Sequence, residues 1–420
     1  MIESPYTVSN IIRFIAKYHQ TNVAKHKIEY EKTAREILKS IEENSIFIKA
    51  TSRFTLNGKE VSSYTSEHAA VTSKLIIRNL KLNARLRLPN RSEIVASLIS
   101  SLRDGVPYKV YRYDIISFYE SIDRARLYNL LEKNSLCSHK TLRLIKSLFE
   151  IFRHEGIKGL PRGLDISAYL SEIYLMEFDE SIKKLSHVSF YARFVDDIVI
   201  ITNNISDEDI TPNVKSILSP ELTLHDENEY QKHSHIFLEK CRDYSLSTTT
   251  FQPLNYLGYS LKIFNHYCSD SDFRSKRNIE VDISTNKVTK IKSRISSSLL
   301  SYCSSKKTET DYKLLLKRVK ALTGNYEIHA SGTNIKIKTG IYYNYFHKTQ
   351  KPRCALKELD NSFKRILFSR SHPLFNKISH AISLQQRREL SKFSFFNGFH
   401  DKIYYSFSYQ ELNEIRKNWK

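Results

Sequence analysis

The feature that most constrains this chain is a pair of aspartates between two apolar runs. Phe190–Val195 and Ile198–Thr202 are rich in aromatic and β-branched residues, with Asp196-Asp197 between them. The pattern predicts strand, tight turn, strand. An aspartate pair in a hairpin turn is ordinary by itself, because Asp tolerates left-handed backbone and bonds to its own main chain. A second β-like run, Tyr108–Tyr113, also ends on a carboxylate, Asp114.

Three carboxylates at strand ends can meet on one sheet edge. Phosphoryl transfer needs such a cluster, because two divalent ions about 3.5–4 Å apart activate the attacking hydroxyl and stabilise the leaving group. Magnesium takes oxygen ligands from a few carboxylates and from substrate phosphates. The segment Gly159-Leu-Pro-Arg-Gly-Leu-Asp-Ile-Ser167 precedes a helical pattern through Leu170, Ile173 and Leu175. A Gly/Pro-rich loop opening a helix lets backbone approach a ligand closely, although a plain turn before a capped helix reads the same way.

Composition supports a polyanionic partner. Lys and Arg number 66 against 45 acids, a net charge of +21. Such an excess attracts nucleic acid more than it serves solubility, with an acidic membrane as the weaker alternative. The 26 Tyr and 22 Phe add rings that single-strand binders use for stacking, though many must be core. Cys137, Cys241, Cys268, Cys303 and Cys354 include no C-x-x-C pair, which argues against zinc and a disulfide framework. Neither a signal-peptide pattern nor an apolar run of about 18 residues is present, and a cytoplasmic protein without a membrane partner is expected.

Periodicity predicts helices over 8–44 and over most of 60–104 with a break at Pro89-Asn90. It predicts another from Asp114 through Leu131, and one over Ser167–Ile182. Residues 203–250 are polar and resist parsing, and Asn255–Ile263 reads as a short strand pair around Gly258. Basic amphipathic helices come next near 286–301 and 311–323, with Lys287, Lys290 and Arg294 on one face and Lys313, Lys317 and Lys320 on another. A Tyr-rich segment, Gly340–Tyr345, lies beyond them. A domain boundary is expected near 264–276, where Ser, Asp and Asn cluster.

Taken in order, these pieces resemble the palm of reverse transcriptases. Residues 110–123, 159–175 and 191–200 look like motifs A, B and C. Asn255-Tyr-Leu-Gly-Tyr-Ser260 looks like the primer grip, and Arg87-Leu-Pro-Asn-Arg-Ser-Glu-Ile-Val95 resembles the fingers segment before motif A. The wording Ser117-Phe-Tyr-Glu-Ser-Ile-Asp123, Ser171-Glu-Ile-Tyr-Leu175, Leu322-Thr-Gly-Asn-Tyr326 and Gly340–Tyr345 is similar to bacterial defence-associated reverse transcriptases of the abortive-infection lineage. In particular it resembles the smaller enzyme of a type 3 two-polymerase system.

The resemblance implies an α+β right-hand polymerase with an antiparallel palm sheet and a helical C-terminal region. Residues 1–44 would be a helical extension, 45–263 fingers and palm, and 264–420 a thumb or accessory nucleic-acid-binding region. Within the middle part, fingers are expected at 45–108 and 127–165, and palm at 109–126 and 166–263. The implied activity is RNA-directed DNA synthesis in anti-phage defence. It would use an RNA template (a noncoding RNA), deoxynucleotides and a DNA product, with a second reverse transcriptase or a homo- or hetero-oligomer as partner. Asp114, Asp196 and Asp197 are the implied catalytic residues. They would hold two Mg2+ (Mn2+ as the alternative) together with the backbone carbonyl of Ile115. Tyr119, Arg162, Gly163, Arg87 and Arg91 are the implied substrate-binding residues.

Four positions depart from the motifs. Phe194 stands where Tyr is usual, Arg162 where Gln is usual and Ala168 where Pro is frequent. Asn228 aligns with an expected Lys, with Lys232 nearby. A viral RNA polymerase normally carries an acid five residues after the first aspartate, where this chain has Tyr119, whose ring can clash with a ribose 2′-hydroxyl. Other readings are a non-catalytic RNA-binding scaffold, or a retron or group II intron enzyme. Arg162 either meets the nucleotide or pairs with an acid such as Asp165.

Overall fold

Tyr108–Asp114 is a strand buried at every residue, which happens only when both faces of its sheet are covered. A computed structural model describes the chain except residues 1–2, 20, 22, 24–25, 57, 204–208, 227–231, 244–249, 269–275, 330–335, 350, 352–353 and 420. The chain divides into two compact units, Met1–Asp243 and Tyr244–Lys420.

The first unit runs α1 (Val8–His19), α2 (Lys27–Glu42), β1 (Thr51–Leu56), β2 (Lys59–Tyr64), α3 (Glu67–Asn83), α4 (Arg91–Leu102), β3 (Tyr108–Asp114), α5 (Phe118–Ser121) and α6 (Arg124–Lys133). It continues through α7 (His139–His154), α8 (Asp165–Lys183), β4 (Val188–Phe194), β5 (Asp197–Asn203), α9 (Thr211–Ile217) and β6 (Ser234–Leu238). Its main sheet is antiparallel with order β4-β5-β3-β6. The core passes from Ile11, Ile15 and Ile37 of the N-terminal helices to Leu170 and Ile173 of α8, so residues 8–42 are built into this unit.

Helices α3 and α4 fill most of 60–104 with the expected break between them, but two helix limits differ from expectation. The stretch 60–104 is not helical from its start, because β1 and β2 form a hairpin in which Leu56 faces Lys59. The Asn57-Gly58 dipeptide between them favours a two-residue hairpin turn and was the available signal. The helix expected up to Leu131 is broken at Ile122-Asp123, where the Asp123 carboxylate accepts from the Arg126 amide at 2.6 Å and starts α6 as its cap.

The second unit contains β7 (Phe251–Tyr256), β8 (Tyr259–Tyr267), β9 (Arg277–Ile283), α10 (Thr285–Cys303), α11 (Glu309–Thr323), β10 (Asn325–His329), β11 (Lys336–Gly340) and α12 (Ile341–Tyr345). It ends with α13 (Ala355–Phe368), α14 (Phe375–Ala381), α15 (Leu384–Leu390), α16 (Phe395–His400) and α17 (Tyr409–Lys417). Antiparallel β8 pairs with β7 on one side and β9 on the other. That pairing ties residues 251–263 to the strand Arg277–Ile283. The compact units therefore part at 243/244 rather than at the 264–276 boundary expected from composition, part of which lies outside the described residues. Helices α10 and α11 match the two basic amphipathic helices. Lys313 pairs with Glu309 and Lys317 with Glu411, both at 2.6 Å, while Lys287 and Lys290 are exposed. No helix among the described residues is long and apolar enough to cross a membrane, and all five cysteines are free.

Candidate active site

Antiparallel pairing sets Asp114, the last residue of β3, directly opposite Asp197, the first residue of β5. Asp196 occupies the turn before β5, and its carbonyl accepts from the Ile115 amide at 3.2 Å. The strand ends thus bring the backbones of all three aspartates to one sheet edge. Burial pushes the Asp196 carboxyl above the usual range, Asp114 and Asp197 push it further, and Lys232 opposes them. Asp197 is likewise raised by burial, with Arg112 pulling it back.

Each of the two paired carboxylates has a cationic neighbour. Arg112 donates to Asp197 Oδ1 from Nε at 3.0 Å and from Nη2 at 2.8 Å. Lys232 Nζ lies 2.5 Å from Asp114 Oδ2, and His225 Nε2 lies 3.4 Å from Oδ1. Asn228 is outside the described residues.

The substrate-binding candidates split into two groups. Phe118 is fully buried, whereas Tyr119 is half-buried. Burial raises the Tyr119 phenol above its ordinary value, Ser171 opposes the shift, and the charges of Glu172 and Asp196 add to it. The Arg162 guanidinium lies 5.3 Å from the Tyr119 ring centre and forks onto Glu120, Nε to Oε1 at 2.7 Å and Nη2 to Oε2 at 3.0 Å. The acid that meets Arg162 is therefore Glu120, not Asp165, which accepts from Ser73 Oγ at 3.0 Å. Gly163 has φ +95°, and a Cβ there would sit 2.4 Å from the Ser62 carbonyl oxygen. Its lack of a side chain serves the close approach of this loop to β2, where the Ser62 amide donates to the Arg162 carbonyl at 2.7 Å. Arg87 is exposed in the loop between α3 and α4, and Arg91 is half-buried at the start of α4. Neither is among the charges that chiefly shift Asp196 or Asp197.

Residues 100–261 match the family described as reverse transcriptase (RNA-dependent DNA polymerase). This segment is similar to reverse-transcriptase domains. The match spans less than half of the chain. Among solved structures, apo telomerase from Candida tropicalis truncated from its C-terminal domain aligns at TM-score 0.31 and 13% identity, over 46% of this chain and 42% of that one. Telomerase from Candida albicans in complex with a TWJ fragment of telomeric RNA aligns at TM-score 0.30 and 12% identity, over 82% of this chain and 53% of that one. The chain thus spans about half the length of these telomerase chains or less. No curated protein matches the chain.

Sequence reasoning missed the groups that support these carboxylates. Arg193 on β4 is 3% exposed. It reaches Asp179 through Nε at 2.9 Å and Nη2 at 2.7 Å, and Glu172 through Nη1 at 3.2 Å and Nη2 at 2.8 Å. Burial works against its charge, but Asp179 and Glu172 outweigh burial and hold the guanidinium well above its ordinary value. Nη1 also donates to the Val195 carbonyl at 3.0 Å. Val195 has φ +60°, which is costly for a β-branched residue. Arg193 therefore ties α8 to the strained residue that aims Asp196. Arginines inside apolar strands, Arg112 between Tyr111 and Tyr113 and Arg193 between Ala192 and Phe194, were the usable signal, because Arg is rarely buried unless paired.

The carboxylates fit magnesium by chemistry, since they are hard oxygen donors whose mutual repulsion a cation relieves. The ammonium of Lys232 already satisfies Asp114 in that way. Among the described residues, no group of three or more His, Cys, Asp or Glu side chains is gathered so as to hold a metal ion. Arg112 holds Asp197 much as Lys232 holds Asp114.

Proposed function

We propose that this chain copies RNA into DNA by adding deoxynucleotides to a 3′-end at the Asp114–Asp196–Asp197 edge. The observation that carries this reading is the register that sets Asp114 against Asp197 with Asp196 in the adjoining turn. Asp114, Asp196 and the Ile115 carbonyl would hold two Mg2+ (or Mn2+), and Asp197 would support them from its place on Arg112. Bound ions supply the Lewis acidity that activates the 3′-hydroxyl and stabilises the leaving pyrophosphate. Lys232 brings a proton-bearing ammonium to the same cluster and is the general acid for pyrophosphate. Tyr119 screens the sugar, Arg162 and Gly163 border the nucleotide, and Arg87 and Arg91 face the template or triphosphate.

In this reading β3–β6 with α8 is the palm, β1–β2 belongs to the fingers, and the unit from Tyr244 onward holds a thumb or accessory region. The motif wording at 117–123, 171–175, 322–326 and 340–345 favours an enzyme of bacterial anti-phage defence, with a noncoding-RNA template and a second reverse transcriptase as partner. The free cysteines suit a reducing cytoplasm. Extension of a DNA primer on an RNA template, with and without Mg2+, tests the activity. Synthesis that persists in a chelator would overturn the two-metal reading, and sequencing the co-purifying nucleic acid tests the noncoding-RNA template.

A further inference from the structure

Within the second unit, one surface shows aromatic rings beside lysines. In α12 the residues at i and i+4, Ile341 and Tyr345, are 3% and 8% exposed and anchor the helix inward. Tyr342 and Tyr343 fall on the other side and stay half-exposed, edge to face with ring centres 5.2 Å apart. Lys402 Nζ stands 4.8 Å from the Tyr342 ring centre, and Lys338 Nζ stands 5.8 Å from that of Tyr343. Both lysines are exposed. The acid on this hairpin, Glu327, is committed to Lys336 at 3.6 Å.

The platform is built rigidly. Asn325, fully buried, accepts from the Tyr342 amide through Oδ1 at 2.9 Å. Its Nδ2 donates to the carbonyls of Gly398 and Ile403, both at 3.0 Å. One side chain thus locks together the segments that carry Tyr342, His400 and Lys402. Gly398 leaves no room for a side chain, since a Cβ there would lie 1.7 Å from the Thr323 carbonyl oxygen. A buried amide with its bonds made fixes a geometry, and here it fixes the start of the helix whose two tyrosines stay half-exposed, with Tyr342 also packed against Phe399 at 5.4 Å between ring centres.

We propose that the surface formed by Tyr342, Tyr343, Lys338 and Lys402 binds single-stranded nucleic acid. Every base offers a π-face to an aromatic platform, and neighbouring lysines meet the phosphates next to it. A duplex hides those faces in its own stack, so the platform discriminates strands from duplexes. The surface lies outside residues 100–261, the segment matched to reverse transcriptases. It therefore stands or falls separately from the carboxylate edge.

The test is fluorescence anisotropy of the full chain with a labelled single strand of about 12 nucleotides, RNA and DNA in parallel, and with the matching duplex. Tyr342→Ala with Tyr343→Ala should weaken single-strand binding by about tenfold or more and duplex binding far less. Lys338→Gln with Lys402→Gln, at exposed positions that leave folding intact, should flatten the log–log salt dependence by about 1.4. Unchanged affinity in the tyrosine variant together with an unchanged slope in the lysine variant would overturn the proposal. So would a wild-type protein that prefers the duplex. Extension of a pre-annealed primer should persist in both variants. Its loss in the wild type would count against the polymerase reading and leave the binding result standing.

Discussion

Arg193→Met removes four charge-assisted bonds to Glu172 and Asp179 and leaves both carboxylates without their cation, at 13% and 20% side-chain exposure. Removing one partner of a buried ion pair costs about 3–5 kcal/mol, because the remaining charge is stranded away from water. In a unit of this size 1 kcal/mol moves Tm by about 2–4 °C, so Tm should fall by about 6–20 °C. Adding Glu172→Gln and Asp179→Asn removes the stranded charges and should restore most of the loss. The restored protein still lacks the bond to the Val195 carbonyl, and its incorporation rate should stay low until Val195→Gly relieves the left-handed backbone. Thermal melts and primer extension on these variants check this. A Tm loss in Arg193→Met equivalent to under about 1 kcal/mol would place the network among solvated surface pairs and refute the argument. A triple variant no more stable than the single one would refute the charge-burial cause.

Asp196→Asn should abolish incorporation and raise the Tm of the metal-free protein at neutral pH. The folded state lifts this carboxyl by burial and by Asp114, so its contribution to stability is full below the ordinary carboxylate range and lost as pH rises through the raised value. The variant should show a flatter Tm–pH profile over that window, and an unchanged profile would deny the like-charge cluster. Arg162→Gln should raise the KM for nucleotide by about tenfold or more if its guanidinium leaves Glu120 for substrate. Tm should shift little, because the pair is partly exposed; a fall in Tm at constant KM makes Arg162 structural. Tyr119→Ala should raise ribonucleotide use relative to deoxynucleotide use in competition assays, and an unchanged preference in a folded variant would make the ring core only.

Which strands end on carboxylates is legible in the chain alone. Period-two apolar runs around 108–114 and 190–202 can be read locally, because strand formation depends on near neighbours along the chain. The amphipathic stripes of α10 and α11 were legible for the same reason. The partners of the charges were not. Glu120 for Arg162, Lys232 and His225 for Asp114, and Glu172 and Asp179 for Arg193 are chosen by how strands and helices pack over long sequence separations. The division at 243/244 was hidden likewise, because β8 takes β9 as a partner across a polar segment that reads as a break. Local conformation is set by short-range sterics, hydrogen bonds and periodicity. Which buried charge meets which is settled only when the whole chain excludes water from them, since an unpaired charge is costly only once it is buried.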